Sequence, residues 1–284
     1  MKKADWNLWI RSKYTGRKRK DGIDMEETIF RQELQKRTTA IEDLLKQYLP
    51  AEEGYQKTVI EAMNYSLMAG GKRLRPMLMQ ETYRMLGGED DIIEPFMAAI
   101  EMIHTSSLVH DDLPCMDDDM MRRGQASTWA EYGEDMGVLA GDALMIYAFE
   151  VAAKAFKEVS DADDLKRVGR AIEILASKTG IYGMIGGQTV DVELAGGPIP
   201  KNKLDFIYRL KTGALIEASM LIGAVLGGAA EEDCKIVESL AGKVGLAFQI
   251  QDDILDVTGD QEVLGKEAGS DEKNQKTTYV TLEG

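Results

Sequence analysis

Between Ile29 and Leu49 the apolar positions Ile29, Leu34, Ile41, Leu44, Leu45 and Leu49 recur at helical spacing. The same period returns in "PFMAAIEMIHTSSLVHDD", through Phe96, Ile100, Ile103 and Leu108. Two further stretches, "MGVLAGDALMIYAFEVAAKAF" and "LIEASMLIGAVLGGAA", are apolar almost all round and predict buried helices. The alternation expected of strands is nearly absent. Breaks fall at Gly87-Gly88, at "LAGGPIP", at Gly227-Gly228 and across 257–274. No Pro/Ser-rich linker divides the chain, so residues 25–284 read as one all-α domain.

Composition sharpens this picture in a few places. The 284 residues are 44% hydrophobic, enough to bury a sizeable core. A formal net charge of −15 argues against nucleic acid as a partner, which would need a basic footprint. An anionic substrate would then need a local basic patch or bridging cations. Residues 1–24 stand apart, with eight Lys/Arg against three Asp. They lack the apolar stretch of a signal peptide and read as a basic, poorly ordered extension. Cys115 and Cys234 show neither a disulfide framework nor metal spacing, which points to a reducing cytoplasm. No apolar run is expected to reach the length of a membrane span.

The chemistry sits at the ends of two apolar segments. "VHDDLPCMDDDMMRRG" packs Asp111, Asp112, Asp117, Asp118 and Asp119 together, followed at once by Arg122 and Arg123. Like charges this close repel unless something positive sits among them. A second cluster, Asp252, Asp253 and Asp256, ends "FQIQDDILD". On a helix Asp252 and Asp256 share a face, with Gln249 a turn earlier, and His104, Leu108 and Asp111 share another. Two helices could thus end with carboxylates aimed into one space. Hard carboxylate oxygens suit Mg²⁺, which keeps positions open for phosphate oxygens. A calcium loop of the EF-hand type does not fit, because its Gly and closing Glu are missing. Basic groups occur in "GGKRLRP" (Lys72, Arg73, Arg75), in "RLKTGALIE" (Lys211, Thr212) and at Lys266. A lone His such as His104 is as readily a satisfied core residue as a ligand contact.

The ordered motifs "GGKRLRP", "IHTSSLVHDDLPCMDDDMMRRG", "GQTVDVE", "KTGALIEAS" and "FQIQDDILDVTGD" resemble the trans-isoprenyl diphosphate synthases of the polyprenyl synthetase family. The resemblance runs from about Met25 to the C-terminus. It implies helices around a deep central cavity and Mg²⁺, three per site, held by both aspartate motifs. It implies that Asp111, Asp112, Asp117, Asp252, Asp253 and Lys211 serve catalysis, with Asp111, Asp112, Asp117, Asp252 and Asp256 on the metal. Lys72, Arg75, His104 and Arg123 match the family's isopentenyl diphosphate site. Arg122, Lys211, Thr212, Gln249 and Lys266 match the allylic diphosphate side, and Gln188 and Asp191 match further cavity residues. The implied reaction is head-to-tail condensation of isopentenyl diphosphate with an allylic diphosphate by a cytoplasmic homodimer.

The chain departs from the family's pattern in places. Members usually continue past "KTTYVTLEG" with further helices, so the family's C-terminal helices are expected to be missing. Trp129 stands where His is common. A terpene cyclase would share the fold and the first motif, but its second motif runs Asn/Asp-Asp-x-x-Ser/Thr-x-x-x-Glu, and here positions 256 and 260 are Asp. A non-catalytic subunit of a heteromeric synthase would be expected to lose aspartates, and both clusters are intact. Ser106, five residues before Asp111, and Ser107 are small where farnesyl synthases of this type carry an aromatic floor. That favours a C20 product over C15, with Met102 and Ile103 as the expected new floor.

Overall fold

The computed structural model describes residues 25–258 and 277–283; residues 1–24 and Lys266 lie outside them. The described chain is helical except for one small hairpin. Its elements are α1 Met25–Gln47, α2 Lys57–Leu67, α3 Leu74–Met85, α4 Glu94–Asp111, β1 Met121–Arg122, β2 Gln125–Ala126, α5 Thr128–Tyr132 and α6 Glu134–Ala153. They continue as α7 Ala162–Thr179, α8 Met184–Glu193, α9 Lys201–Ile207, α10 Gly213–Leu226, α11 Glu231–Thr258 and α12 Tyr279–Glu283. The helix starts follow local chemistry. Pro95 lies in the first turn of α4, where a missing N–H costs nothing. The Asp161 carboxylate accepts from the Asp163 amide at 2.9 Å and caps α7.

Two helices form the centre. α4 is buried without interruption from Pro95 to Ile103, and α10 from Gly213 to Ala224. α4 packs on α6 and α3, while α10 packs on α3, α7 and α11. Each large apolar side chain buried there contributes roughly 1.5–3 kcal/mol. The all-round apolar pattern of α10 therefore matches its position.

α6 does not follow that rule. Its sequence is as apolar as a core helix, yet Val138, Leu139 and Ile146 are exposed. Periodicity cannot tell a helix buried all round from one that keeps an apolar face open. The expectation about membrane length also needs correction. Residues 91–111 and 134–157 are long and apolar enough to cross a membrane, with mean hydropathy 1.2 and 1.5. Polar and charged residues interrupt both runs, Glu94, Glu101 and 104–107 in the first and Asp142 and Glu150 in the second, so neither is a continuous apolar span. The first is the core helix of the bundle, 72% buried, as a core helix passes the same test.

The β1–β2 hairpin decides where two adjacent arginines go. It pairs Met121 with Ala126 and Arg122 with Gln125 in antiparallel register. Its two turn residues, Arg123 (φ 54°) and Gly124 (φ 82°), both lie in the left-handed region, as a type I′ turn requires. Arg122 is thus a strand residue and Arg123 a turn residue, and their side chains diverge.

Candidate active site

A cavity of ≈ 670 Å³ opens beside the C-terminal half of α4. His104, Ser107, Leu108 and Asp111 line it, the face that helical spacing assigns to His104, Leu108 and Asp111. Val138 and Met145 of α6, Met184 and Ile185 of α8, and Leu215 of α10 make the apolar wall. Arg75, Gln188, Lys211 and Thr212 supply the polar part.

Lys211 and Thr212 owe their place to a π-turn, Tyr208–Thr212, inserted before α10. Such insertions rotate a few side chains out of helical register and recur at functional sites. The turn lies hard against α8 because residue 187 is Gly. A Cβ there would come 2.2 Å from the Lys211 amide nitrogen. The Lys211 ammonium stands 2.7 Å from Asp191 Oδ2. Burial opposes its charge, but Asp111 and Asp191 outweigh it and hold the pKa above the usual lysine range.

Asp111 is the carboxylate that faces the cavity. Gln188 Nε2 donates to its Oδ1 at 2.6 Å. Burial pushes its carboxyl up to about 6, with Lys211 pulling against it and Asp117 adding to it. Asp112, one residue on, points elsewhere. It is buried under Arg122, whose Nε donates to its Oδ1 at 2.9 Å and whose Nη2 also reaches Asp119 Oδ2 at 3.0 Å. The residues after α4 then fold back on the helix end. The Asp117 amide donates to the Asp111 carbonyl at 2.9 Å, the Asp119 amide to the Asp112 carbonyl at 3.1 Å. Trp129 Nε1 donates to the Asp119 carbonyl at 3.0 Å, which gives that residue a role in holding the acidic turn.

The second cluster is joined to the cavity through a relay. Thr212 donates to Gln249 Oε1 at 2.8 Å, and Gln249 Nε2 donates to Asp253 Oδ1 at 3.3 Å. Asp253 is buried and also accepts from the Tyr208 hydroxyl at 2.7 Å and the Tyr279 amide at 3.0 Å. Asp256 is buried as well, and Asp252 is half-buried. None of the three lines the cavity wall itself.

A small divalent cation fits the first cluster. Asp111 offers hard oxygens at the cavity, and the negative charges of Asp117 and Asp112 lie close enough to raise its pKa. Among the described residues no three or more His, Cys, Asp or Glu side chains are grouped so as to hold a metal ion by themselves. Mg²⁺ binds through few carboxylates and takes phosphate oxygens as further ligands, so the donors here would be Asp111 and its neighbours together with a substrate.

Facing this acidic end is a basic one. Arg75 and His104 line the cavity, and Arg123 donates to the Gly70 carbonyl under the "GGKRLRP" loop. Lys72 is exposed on the same loop. Arg75 Nε is buried with no hydrogen-bond partner among the described residues. Burial lowers the pKa of Arg75 and Arg123. It also holds His104 well below its ordinary value, with Arg75 and Arg123 adding to the effect. Cations held together in partial burial with an orphaned donor make a site suited to an anion.

The two serines separate. Ser107 is on the cavity wall, its hydroxyl donating to the His104 carbonyl at 2.8 Å. Ser106 is fully buried and off the cavity, as are Met102 and Ile103. The reason is register: position 107 shares a face with 104 and 111, and position 106 does not. The pairing of Arg73 with Glu101, both fully buried and 2.7 Å apart, went unsuspected in the sequence: Arg73 read as a member of a basic turn and Glu101 was hidden in an apolar run. Tyr208 and Tyr279, which hold Asp253, carried no sequence signal.

Residues 56–284 match the family model described as polyprenyl synthetase. The farnesyl diphosphate synthase of Geobacillus stearothermophilus is 42% identical over 263 residues, covering 91% of this chain and 86% of that protein. A chloroplastic geranylgeranyl pyrophosphate synthase of Catharanthus roseus is 47% identical over 79% of this chain, which spans 62% of that protein's length. Among solved structures, a Helicobacter pylori geranyltransferase complexed with magnesium and isoprenyl diphosphate superposes with a TM-score of 0.77 at 34% identity. That match covers 87% of this chain and 82% of the other.

Proposed function

The chain belongs to the polyprenyl synthetase family and is a prenyltransferase; we propose that it joins isopentenyl diphosphate head-to-tail to an allylic diphosphate, giving a short all-trans prenyl diphosphate. One observation carries the reading: a largely apolar cavity is lined by the Asp111 carboxylate and by Arg75 and His104, with Arg123 against the adjoining Gly70 loop. Two diphosphates can then meet in one space, one on each group.

In this reading Asp111 and Asp117 would hold Mg²⁺ at the cavity, and the family resemblance adds Asp252 and Asp256 of α11 and a count of three ions. Mg²⁺ held there would neutralise the charge that develops on the departing diphosphate. Lys211 adds a fixed ammonium on the same side, kept charged by Asp191 and Asp111. Arg75, His104 and Arg123 bind the diphosphate of the isopentenyl substrate. The allylic C–O bond breaks and its electron pair leaves with the diphosphate. The isopentenyl double bond attacks the resulting cation, a C–C bond forms, and loss of a proton restores a double bond. Leu108, Val138, Met145 and Met184 exclude water that would quench the cation. The small side chain of Ser107 favours a C20 product over C15. The enzyme works as a homodimer in the cytoplasm.

Purified protein with Mg²⁺, isopentenyl diphosphate and labelled dimethylallyl, geranyl or farnesyl diphosphate tests this. Elongated prenyl diphosphates support it. Cyclised hydrocarbons would instead show a terpene cyclase, and no turnover without an added partner a non-catalytic subunit.

A further inference from the structure

The basic end of the cavity contains more positive charge than its surroundings explain. Arg73, Arg75, Arg123 and His104 lie close together, and each of Arg75, Arg123 and Arg73 interacts with a single buried carboxylate, Glu101. Arg73 is fully buried and sits in the left-handed region at φ 49°, a conformation a non-glycine residue adopts only where its surroundings hold it. Its Nη1 donates to Glu101 Oε1 at 2.7 Å and its Nη2 to the Leu67 carbonyl at 2.7 Å. Glu42 of α1 stands at 3.9 Å from its Nε.

Glu101 lies three residues before His104 on α4, so it shares that residue's side of the helix. One buried contact therefore ties the residue between Lys72 and Arg75 to the helix that carries His104 and Asp111. From the opposite side Arg123 closes on the loop at Gly70 and Gly71.

We propose that Arg73 and Glu101 form a positioning pair that fixes the Gly70–Arg73 loop and the start of α3 on α4, and so sets Lys72, Arg75, His104 and Arg123 at the spacing one substrate diphosphate needs. This inference rests on the reading of that end as the isopentenyl diphosphate site. Neither Arg73 nor Glu101 lines the cavity, so they act through Arg75 and His104. Glu101 also neutralises part of the cluster before the anion arrives, which keeps like charges from spreading the site apart. Removing one partner of such a pair leaves a buried unpaired charge, whereas replacing both with apolar groups can preserve the fold.

The test is steady-state kinetics of Glu101→Gln, Arg73→Lys and the double variant Arg73→Met/Glu101→Leu beside wild type. Wild-type turnover must be present; its absence would refute the proposed function and leaves the geometry of the pair to be judged by binding. Glu101→Gln is expected to raise the KM for isopentenyl diphosphate about tenfold or more, with KM for the allylic substrate changed less than about threefold. Arg73→Lys, which keeps the charge opposite Glu101, is expected to raise the isopentenyl diphosphate KM less than Glu101→Gln does. The double variant is expected to melt within a few degrees of wild type yet keep the raised KM. Equal rises in both KM values, or a folded double variant with wild-type KM, would overturn the proposal. If wild type does not turn over, isothermal titration with isopentenyl diphosphate gives the same comparison, and unchanged affinity in the folded double variant overturns it.

Discussion

Gln188 Nε2 and Asp111 Oδ1 stand 2.6 Å apart, joining α8 to the last turn of α4 on the cavity wall. The bond orients a carboxylate whose burial raises its pKa to about 6. Asp111→Ala is expected to lower kcat by on the order of 10² or more. Excess EDTA should abolish turnover of wild type. Gln188→Leu, which removes only the orienting donor, should lower kcat less than Asp111→Ala does. Activity assays at saturating substrates and a Mg²⁺ titration check the ranking; full activity in EDTA would sink the metal assignment.

Arg122 and Arg123 should fail differently when truncated. Arg123 lies against the "GGKRLRP" loop, and Arg122 lies among Asp112 and Asp119. Arg123→Ala is expected to raise KM chiefly for isopentenyl diphosphate, and Arg122→Ala chiefly for the allylic substrate. Initial-rate kinetics with each substrate varied in turn decide it. Two variants that impair the same substrate would contradict the division.

Gly71 and Gly70 give a finer version of the same experiment. A Cβ on Gly71 (φ +132°) would meet Arg123 Cζ at 2.8 Å, whereas one on Gly70 (φ +89°) meets nothing within 4 Å. Gly70→Ala carries backbone strain alone, about 1–3 kcal/mol. Gly71→Ala carries strain and also displaces the Arg123 guanidinium. Both should lower the melting temperature, but only Gly71→Ala should raise the isopentenyl diphosphate KM, by about tenfold. Equal KM values for the two would show that Arg123 does not need its present seat.

The chain has two histidines, so His104 can be followed directly by NMR, with His110→Gln for assignment. Burial, then Arg75 and Arg123, hold its pKa well below the ordinary value, so it should stay neutral where free imidazole has already titrated. The unfolded chain takes up that proton near pH 6.5 and the folded chain does not. His104 therefore lets stability fall as pH drops below about 6.5, and contributes no loss above it. Isopentenyl diphosphate brings negative charge to the same arginines and should raise the His104 pKa. A resonance that titrates at the ordinary value in the free protein would contradict the burial of this site.

Some of this was legible in the sequence for physical reasons. α4 was readable from Phe96, Ile100, Ile103 and Leu108 at helical spacing, and α10 because a helix packed all round has no polar face to show. The cavity face His104–Leu108–Asp111 followed from helical geometry alone. α6 was misread because an exposed apolar face and a buried one have the same composition. Arg122 and Arg123 diverge through a pair of positive φ angles, which a run of two identical residues does not announce. Glu101 was hidden in an apolar run, and its partner Arg73 looked like any member of a basic turn. Asp111 and Asp112 read as equivalent carboxylates, yet a step of about 100° around the helix sends one to the cavity and the other to Arg122.

That same step decides how product length should respond to mutation. Ser107 is on the cavity wall four residues before Asp111, about 6 Å along the helix at 1.5 Å per residue. Its hydroxyl is turned onto the His104 carbonyl, so the wall there is small and leaves the cavity wide. Ser106 faces the packed interior, fully buried, and its hydroxyl has no hydrogen-bond partner among the described residues. Ser107→Phe puts an aromatic ring into the space a growing chain would use and is expected to shift the product from C20 to C15. Ser106→Tyr has no such space to enter; overpacking of this kind costs about 1–3 kcal/mol and should lower the melting temperature with little effect on length. Chromatography of the dephosphorylated products, together with thermal melts, separates the two. A Ser106→Tyr enzyme that melts like wild type and makes only C15 would place position 106, and not 107, against the growing chain. A sole C15 product from wild type at excess isopentenyl diphosphate would refute the C20 assignment and leave a bulkier wall residue, such as Met145 or Met184, as the group that stops the chain.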